Sequence, residues 1–283
     1  MIEPREQPMA SSSAADDLTR LDLSSRPRSR PRRAAPVPAL PDSISACLFD
    51  LDGVLTQTAK VHAAAWKQMF DAYLLDRARQ TGEPFRPFEI PTDYAKYVDG
   101  KLREDGVRAF LAARGIRIPD GSADDPPTAE TVSGLGTRKN ELVLDLIQQG
   151  GVEVYEGSVR FVEAVRDAGL RRAVVSASKN CQAVLAAAGI EALFEVRIDG
   201  ILAADKHLRG KPAPDLFLAA AAVLGINPAH CAVFEDALSG VEAGRAGGFG
   251  WVVGVDRVGQ AEALRRHGAD RVVNDLSELL DPP

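Results

Sequence analysis

The stretch Ile44-Ser45-Ala46-Cys47-Leu48-Phe49-Asp50-Leu51-Asp52-Gly53-Val54-Leu55-Thr56 sets the architecture of this chain. Residues 44–49 read as a buried strand that stops at two aspartates on alternate positions. Gly53 follows at once, so the chain turns there. Side chains alternate along a strand, so Asp50 and Asp52 leave its end in the same general direction. Two carboxylates so placed repel each other unless a cation lies between them. Open parallel sheets hold their ligands at this carboxyl edge. The stretch predicts a parallel α/β fold with a Mg2+ site beside an aspartate nucleophile, Asp50. A strand-end Asp-x-Asp can also be a plain turn former, but the apolar run before it and Gly-Val-Leu-Thr after it favour the catalytic reading.

Outward from this stretch, apolar runs alternate with amphipathic ones. Strands are expected at 44–49, 171–176, 194–198, 231–235, 251–255 and 271–273, and helices at 158–168, 179–188, 213–224, 237–246 and 259–267. The fold class is therefore α/β, a Rossmann-like parallel sheet with helices on both faces. Roughly 110 residues separate Asp52 from the helix before the second strand, far more than a crossover needs. They read as helical at 59–79, 102–114 and 131–149, broken by Pro126-Pro127. The expected organisation is a tail at 1–42, a sheet domain from 43–58 and 151–283, and an inserted α-helical cap at 59–150 over the sheet's carboxyl edge, suited to act as a lid.

Composition narrows the function. The chain has 283 residues, 45% hydrophobic and 26% charged, with a net charge of −6. These values suit a soluble globular protein and give no support for nucleic-acid binding. The longest apolar candidate, 216–226, is too short to span a membrane, and the amino terminus lacks a signal-peptide core. Cys47, Cys181 and Cys231 have no ligand spacing and lie in or beside apolar runs, so buried reduced thiols in a cytoplasmic protein are expected. The basic run at 26–33 reads as part of a solvated tail rather than a nucleic-acid or membrane tether. The expected partner is a small molecule, with no nucleic acid and no membrane, bound by a monomer.

Three further pieces sit at or just beyond other strand ends. Ser176 closes Val174-Val175-Ser176, where a hydroxyl and the following amides can hold phosphoryl oxygens, although such a serine is more commonly a helix cap. Lys211 lies in Arg209-Gly210-Lys211-Pro212-Ala213-Pro214-Asp215, where the prolines stiffen the loop and hold the ammonium. Glu235-Asp236 ends Val233-Phe234 and offers oxygen ligands to a hard divalent cation. Asp50 can accept a phosphoryl group, and Asp52 is placed to donate and later take a proton.

The order Asp-x-Asp, Ser, Lys, Glu-Asp resembles the four motifs of the haloacid dehalogenase superfamily, over about residues 43–280. Within it, Thr58-Ala59-Lys60-Val61-His62, Gly100-Lys101-Leu102-Arg103-Glu104-Asp105, Arg138-Lys139-Asn140 and Ser176-Ala177-Ser178-Lys179-Asn180 are similar to the β-phosphoglucomutase-like subfamily. The resemblance implies a Mg2+-dependent phosphotransferase working through an aspartyl-phosphate. It implies that Asp50, the Asp52 carbonyl and Asp236 bind the metal, with Glu235 adjacent. Asp52 would be the acid/base, steered by His62, while Ser176 and Lys211 hold the reacting phosphate. Thr56, Arg103, Lys139, Asn140, Ser178, Lys179 and Asn180 would contact the substrate, a small phosphorylated sugar. Gln57 replaces an acid common in the subfamily, and the insertion is longer than usual around 82–91 and 121–131.

Two activities share the first chemical step: a mutase converting β-glucose 1-phosphate to glucose 6-phosphate, and a phosphatase of small sugar phosphates. Halide removal fits poorly with Asp52 and the second acidic pair. A phospho-accepting signalling module fits poorly with a large cap. A sensor with dead chemistry fits poorly with every catalytic position filled. No G-x-G-x-x-G after a strand and no G-x-x-x-x-G-K-[ST] points to a nucleotide cofactor.

Overall fold

The computed structural model describes residues 38–280. The basic run at 26–33 and most of the expected tail lie outside the described residues. Packing begins by residue 39, ahead of the expected boundary at 43: the Ala39 amide donates to the Leu279 carbonyl, and Leu40 packs on the sheet's core.

Six strands form one sheet: β1 (Ala46–Phe49), β2 (Arg171–Val175), β3 (Val196–Ile198), β4 (Cys231–Glu235), β5 (Trp251–Val255) and β6 (Arg271–Val273). Their order is β3-β2-β1-β4-β5-β6, and every pairing is parallel. The order reverses between β1 and β4. Such a switch point opens a crevice at the strands' carboxyl ends, and it is there that Asp50 and Asp236 emerge.

Helices α1 (Thr58–Thr81), α2 (Arg103–Ala113) and α3 (Val132–Gly150) occupy the long first connection. They are followed by α4 (Glu156–Asp167), α5 (Cys181–Ala187), α6 (Gly200–Asp205), α7 (Asp215–Leu224), α8 (Leu238–Ala246) and α9 (Ala261–Arg266). The two-residue alternation expected of a sheet buried on both sides is visible in β1. Cys47 and Phe49 join α4 and α5 in one apolar cluster, while Ala46 and Leu48 join α6 to α9 in the other. All three cysteines are buried and unbridged, as expected.

Besides single 3-10 turns at Glu191–Leu193, Pro228–His230 and Leu276–Leu279, two longer helical pieces escaped the sequence reading: Ile90–Val98, a wide π-type helix, and α6. Both are still short. The first begins Ile90-Pro91 and follows an irregular loop, whereas α6 depends on Asp199 accepting from the amides of Ile201 and Leu202. Caps of this kind leave no apolar period to read.

The insertion has its own apolar cluster around Trp66, Met69, Phe70, Phe88, Phe110 and Leu135, separate from both sheet clusters. Its two chain crossings are tied together. The Gln57 amide donates to the Glu153 carbonyl at 2.8 Å, and the Tyr155 amide donates to the Leu55 carbonyl at 2.9 Å. Among the described residues no helix is long and apolar enough to cross a membrane.

Candidate active site

Phe49 and Phe234, the last apolar residues of β1 and β4, stack with centroids 4.6 Å apart, and Phe161 meets both edge-on. Fully buried aromatic contacts of this type add about 0.5–1.5 kcal/mol beyond their area. They pin the two strand ends, so the acids that follow are presented from a rigid edge. The Asp50 amide donates to the Phe234 carbonyl, continuing the ladder by one residue.

Lys211 joins these acids. Its Nζ donates to Asp50 Oδ1 at 2.5 Å and to Glu235 Oε1, and it lies 5.0 Å from the Phe217 ring centroid. The Lys211–Pro212 peptide is cis. Burial works against the ammonium's charge, but Asp50 and Glu235 outweigh it and hold the group protonated above its ordinary range. Burial raises the Asp50 carboxyl; Lys211 pulls it down, while Glu235 and Asp52 push it up again. Asp236 is raised by burial and by Asp99, Glu235 and Asp50, against Lys211.

Oxygens of Asp50, Glu235 and Asp236 lie within 4.8 Å of one another. Three buried carboxylates facing one lysine carry excess negative charge, and their hard oxygens are the donor chemistry that Mg2+ prefers. The donor set fits such an ion.

Asp52 faces the same space from the turn. Its Oδ1 accepts from Thr58 Oγ1 and lies 3.5 Å from His62 Nε2, and its Oδ2 accepts from Ser176 Oγ at 3.4 Å. Ser176 Oγ in turn accepts from the Ser178 amide at 3.1 Å. Lys139 Nζ lies 2.7 Å from His62 Nδ1 and 4.9 Å from the Trp66 ring centroid. With Lys139 protonated, Nδ1 is the acceptor and Nε2 carries the proton, 3.5 Å from Asp52 Oδ1 and with no hydrogen-bond partner among the described residues. Burial, then Lys139, lowers His62 to about 4; burial, then Arg103, lowers Lys139 to about 7.

Above these groups lies a cavity of about 610 Å³, counting its open mouth, lined by Asp50, Asp52, His62, Arg103, Lys139, Asn140, Ser178, Lys179, Asn180 and Asp236 among others. Arg103 and Asn180 both donate to Asn140 Oδ1, at 2.9 and 2.8 Å. Lys179 Nζ pairs with Glu104 at 2.9 Å. These contacts join the insertion to the loop after β2.

Thr56 is corrected by the geometry. It is fully buried, and its hydroxyl lies between the Leu51 carbonyl and Thr58. Its contacts brace the turn internally, because the tight 51–56 turn points it inward. Arg138 is likewise engaged elsewhere, donating to the Pro127 carbonyl.

Three residues at the site, Tyr94, Asp99 and Thr58, were not among the site residues named from the sequence. Tyr94 and Asp99 line the cavity from the wide helical segment and its exit. Burial and Glu235 raise Asp99 to about 7. Thr58, at the start of α1, is a direct partner of Asp52, and its position six residues on was the available clue.

A family model described as haloacid dehalogenase-like hydrolase matches residues 44–248. A protein of Mycobacterium tuberculosis called "Beta-phosphoglucomutase" is 59% identical over 244 residues, covering 85% of this chain and 93% of the relative. Another of that name, from Bacillus subtilis, is 32% identical over 237 residues, covering 83% and 92%. A solved β-phosphoglucomutase from Clostridium difficile superposes with a TM-score of 0.65 at 27% identity, over 83% of this chain and 93% of that one. The fold, the acidic switch point and these similarities lead to one conclusion: the chain is an enzyme of the haloacid dehalogenase-like hydrolase family, in its β-phosphoglucomutase-like branch.

Proposed function

We propose that the enzyme moves a phosphoryl group through Asp50 and acts as a β-phosphoglucomutase, interconverting β-glucose 1-phosphate and glucose 6-phosphate. The observation that carries this reading is the buried contact of Lys211 with Asp50, beside Glu235 and Asp236 at the switch point. The sugar-phosphate class comes from the names of the similar enzymes.

In this reading Asp50 attacks phosphorus, the bond from phosphorus to the departing oxygen breaks, and Asp52 supplies that oxygen's proton. In the second half, Asp52 takes the proton of an incoming sugar hydroxyl as that oxygen displaces Asp50. Lys211 neutralises the nucleophile and the transferring group, and Ser176 offers its hydroxyl to the phosphoryl oxygens. Thr58 and His62 hold Asp52 in its two roles. Asp50, the Asp52 carbonyl and Asp236, with Glu235 behind, would hold Mg2+, which when bound supplies positive charge to the acids and the phosphoryl oxygens. Arg103, Lys179, Ser178 and Asn180 would grip a second phosphate, with Lys139 and Asn140 near the sugar. The insertion, residues 59–150, would serve as a cap that excludes water while the aspartyl-phosphate waits for a hydroxyl.

Hydrolysis of the same intermediate is the second reading, favoured by the family model's description as a hydrolase. Incubation with Mg2+, β-glucose 1-phosphate and a trace of glucose 1,6-bisphosphate separates the two. Fast glucose 6-phosphate formation with little free phosphate supports the mutase. Phosphate release without isomer formation overturns it in favour of the phosphatase.

A further inference from the structure

We propose that the loop after β5, residues 256–260, is a bracket that positions both acid-bearing loops of the site, with Arg257 as its main positioning residue. Arg257 Nε donates to the Gly53 carbonyl at 2.8 Å, and its NH2 group reaches the Val54 carbonyl and Ser158 Oγ, each at 3.3 Å. Its NH1 group donates to the Asn274 carbonyl at 2.7 Å. The guanidinium lies over the ring of Tyr155, 3.5 Å from its centroid, at the residue where the insertion returns. One planar, permanently charged fork thus ties together the turn after Asp52, the return of the insertion and the end of β6.

The same loop reaches the other acid. Gln260 Nε2 donates to the Asp236 carbonyl at 3.0 Å. The loop itself is held rigid by Asp256, whose Oδ1 accepts from the amides of Val258, Gly259 and Gln260 and whose Oδ2 accepts from Ala261. Gly53, whose carbonyl Arg257 holds, packs so closely on Asp236 that an added Cβ would overlap that carboxylate. Rotating the Gly53 peptide therefore disturbs Asp52 and Asp236 together. Arg257 does not line the cavity, so its influence on chemistry runs through these backbone carbonyls.

The inference deepens the phosphoryl-transfer reading and rests on it for its kinetic arm alone. Arg257→Lys, Arg257→Gln and Gln260→Met are made in the full chain and compared with wild type. Hydrogen exchange over 51–56 and 236–240 is measured beside kcat, KM and thermal midpoint. Arg257→Gln is expected to speed exchange at 51–56 by more than about tenfold, through the loss of several hydrogen bonds. Its kcat is expected to fall about 10- to 100-fold with KM within about threefold, because small misplacements of reacting groups have this cost. Lysine keeps the charge but not the fork, so Arg257→Lys should recover little. Gln260→Met should lower kcat about 2- to 10-fold. Unchanged exchange at 51–56 in a folded Arg257 variant overturns the bracket, as does a kcat loss no larger than the unfolded fraction. If Arg257→Gln does not fold, the lysine and methionine variants decide by the same two readouts. Absence of Mg2+-dependent turnover in wild type overturns the phosphotransfer reading, while the exchange measurement still decides the bracket.

Discussion

Lys139 places its ammonium 2.7 Å from His62 Nδ1, and the other imidazole nitrogen lies 3.5 Å from Asp52. A buried cation is thus coupled through a ring to the candidate acid/base. The arrangement has a thermodynamic signature. The unfolded chain takes up a proton on His62 below about pH 6.5, whereas the folded protein does so only near pH 4. The unfolded state therefore binds more protons across this window, and the His62 contribution to stability is lost as pH falls from 6.5 to 4. The expected loss is about 3 kcal/mol. Urea unfolding of wild type and His62→Asn at pH 7 and pH 4 measures it as a change in the difference between the two proteins. A difference that stays flat contradicts the assignment. Lys139 acts with the same sign at higher pH, between about 7 and 10.5.

Lys211→Met should leave Asp50 and Glu235 buried without their cation. Removing one partner of such a cluster costs about 3–5 kcal/mol. Denaturation in the presence of a chelator, so that no metal compensates, is expected to show this loss, together with a fall in turnover of about 10²-fold or more. Wild-type stability in the variant would remove Lys211 from the centre of the site.

Mg2+ should raise the thermal midpoint of the wild-type protein, because an ion that binds the folded state alone stabilises it by mass action. At a concentration 100 times its dissociation constant the gain is about 3 kcal/mol. Asp236→Ala removes one of the three clustered carboxylates and should abolish most of the shift. Equal shifts in both proteins would place the ion elsewhere.

Gly53→Ala tests close packing against backbone strain. Gly53 has φ of +96° and packs on the Asp236 carboxylate, whereas Gly82 has φ of +75° with open space around it. Both alanines cost about 1–2 kcal/mol for the left-handed backbone. Only Gly53→Ala is expected to lower turnover as well, by about 10²-fold. If the two variants turn over alike, the turn at Gly53 does not control the acids.

Asp50→Asn should abolish isomerisation and phosphate release together, by at least about 10³-fold, since both need the same nucleophile. Arg103→Ala should impair isomerisation more than hydrolysis, because a second phosphate enters only the former. Equal losses would count against Arg103 as the grip on that phosphate.

The sheet was legible in the sequence because its information is local. Apolar runs of strand length, all but the last meeting Asp, Ser or Glu-Asp at the end, reported where the strands stop and which edge carries chemistry. Burial on both faces turns such runs into near-continuous hydrophobic segments, and no distant residue is needed to see them. The strands at 231–235, 251–255 and 271–273 were read at their observed bounds for this reason.

Partnership was a different matter. Lys211 meets Asp50 across 161 residues, and Lys139 meets His62 across 77. Thr56 stands in the same motif as Asp50 and Asp52 yet turns into the core, because the tight turn rotates its side chain away from the cavity. Arg257 had no signature at all, since five of its partners are backbone carbonyls, a hydroxyl and a ring in three separate segments. Residue type and local period determined the strands and the list of acids. Which charges share a buried space, and which are braced by the backbone of another loop, was decided by tertiary packing, because electrostatics and hydrogen bonding act through distance in space and not along the chain.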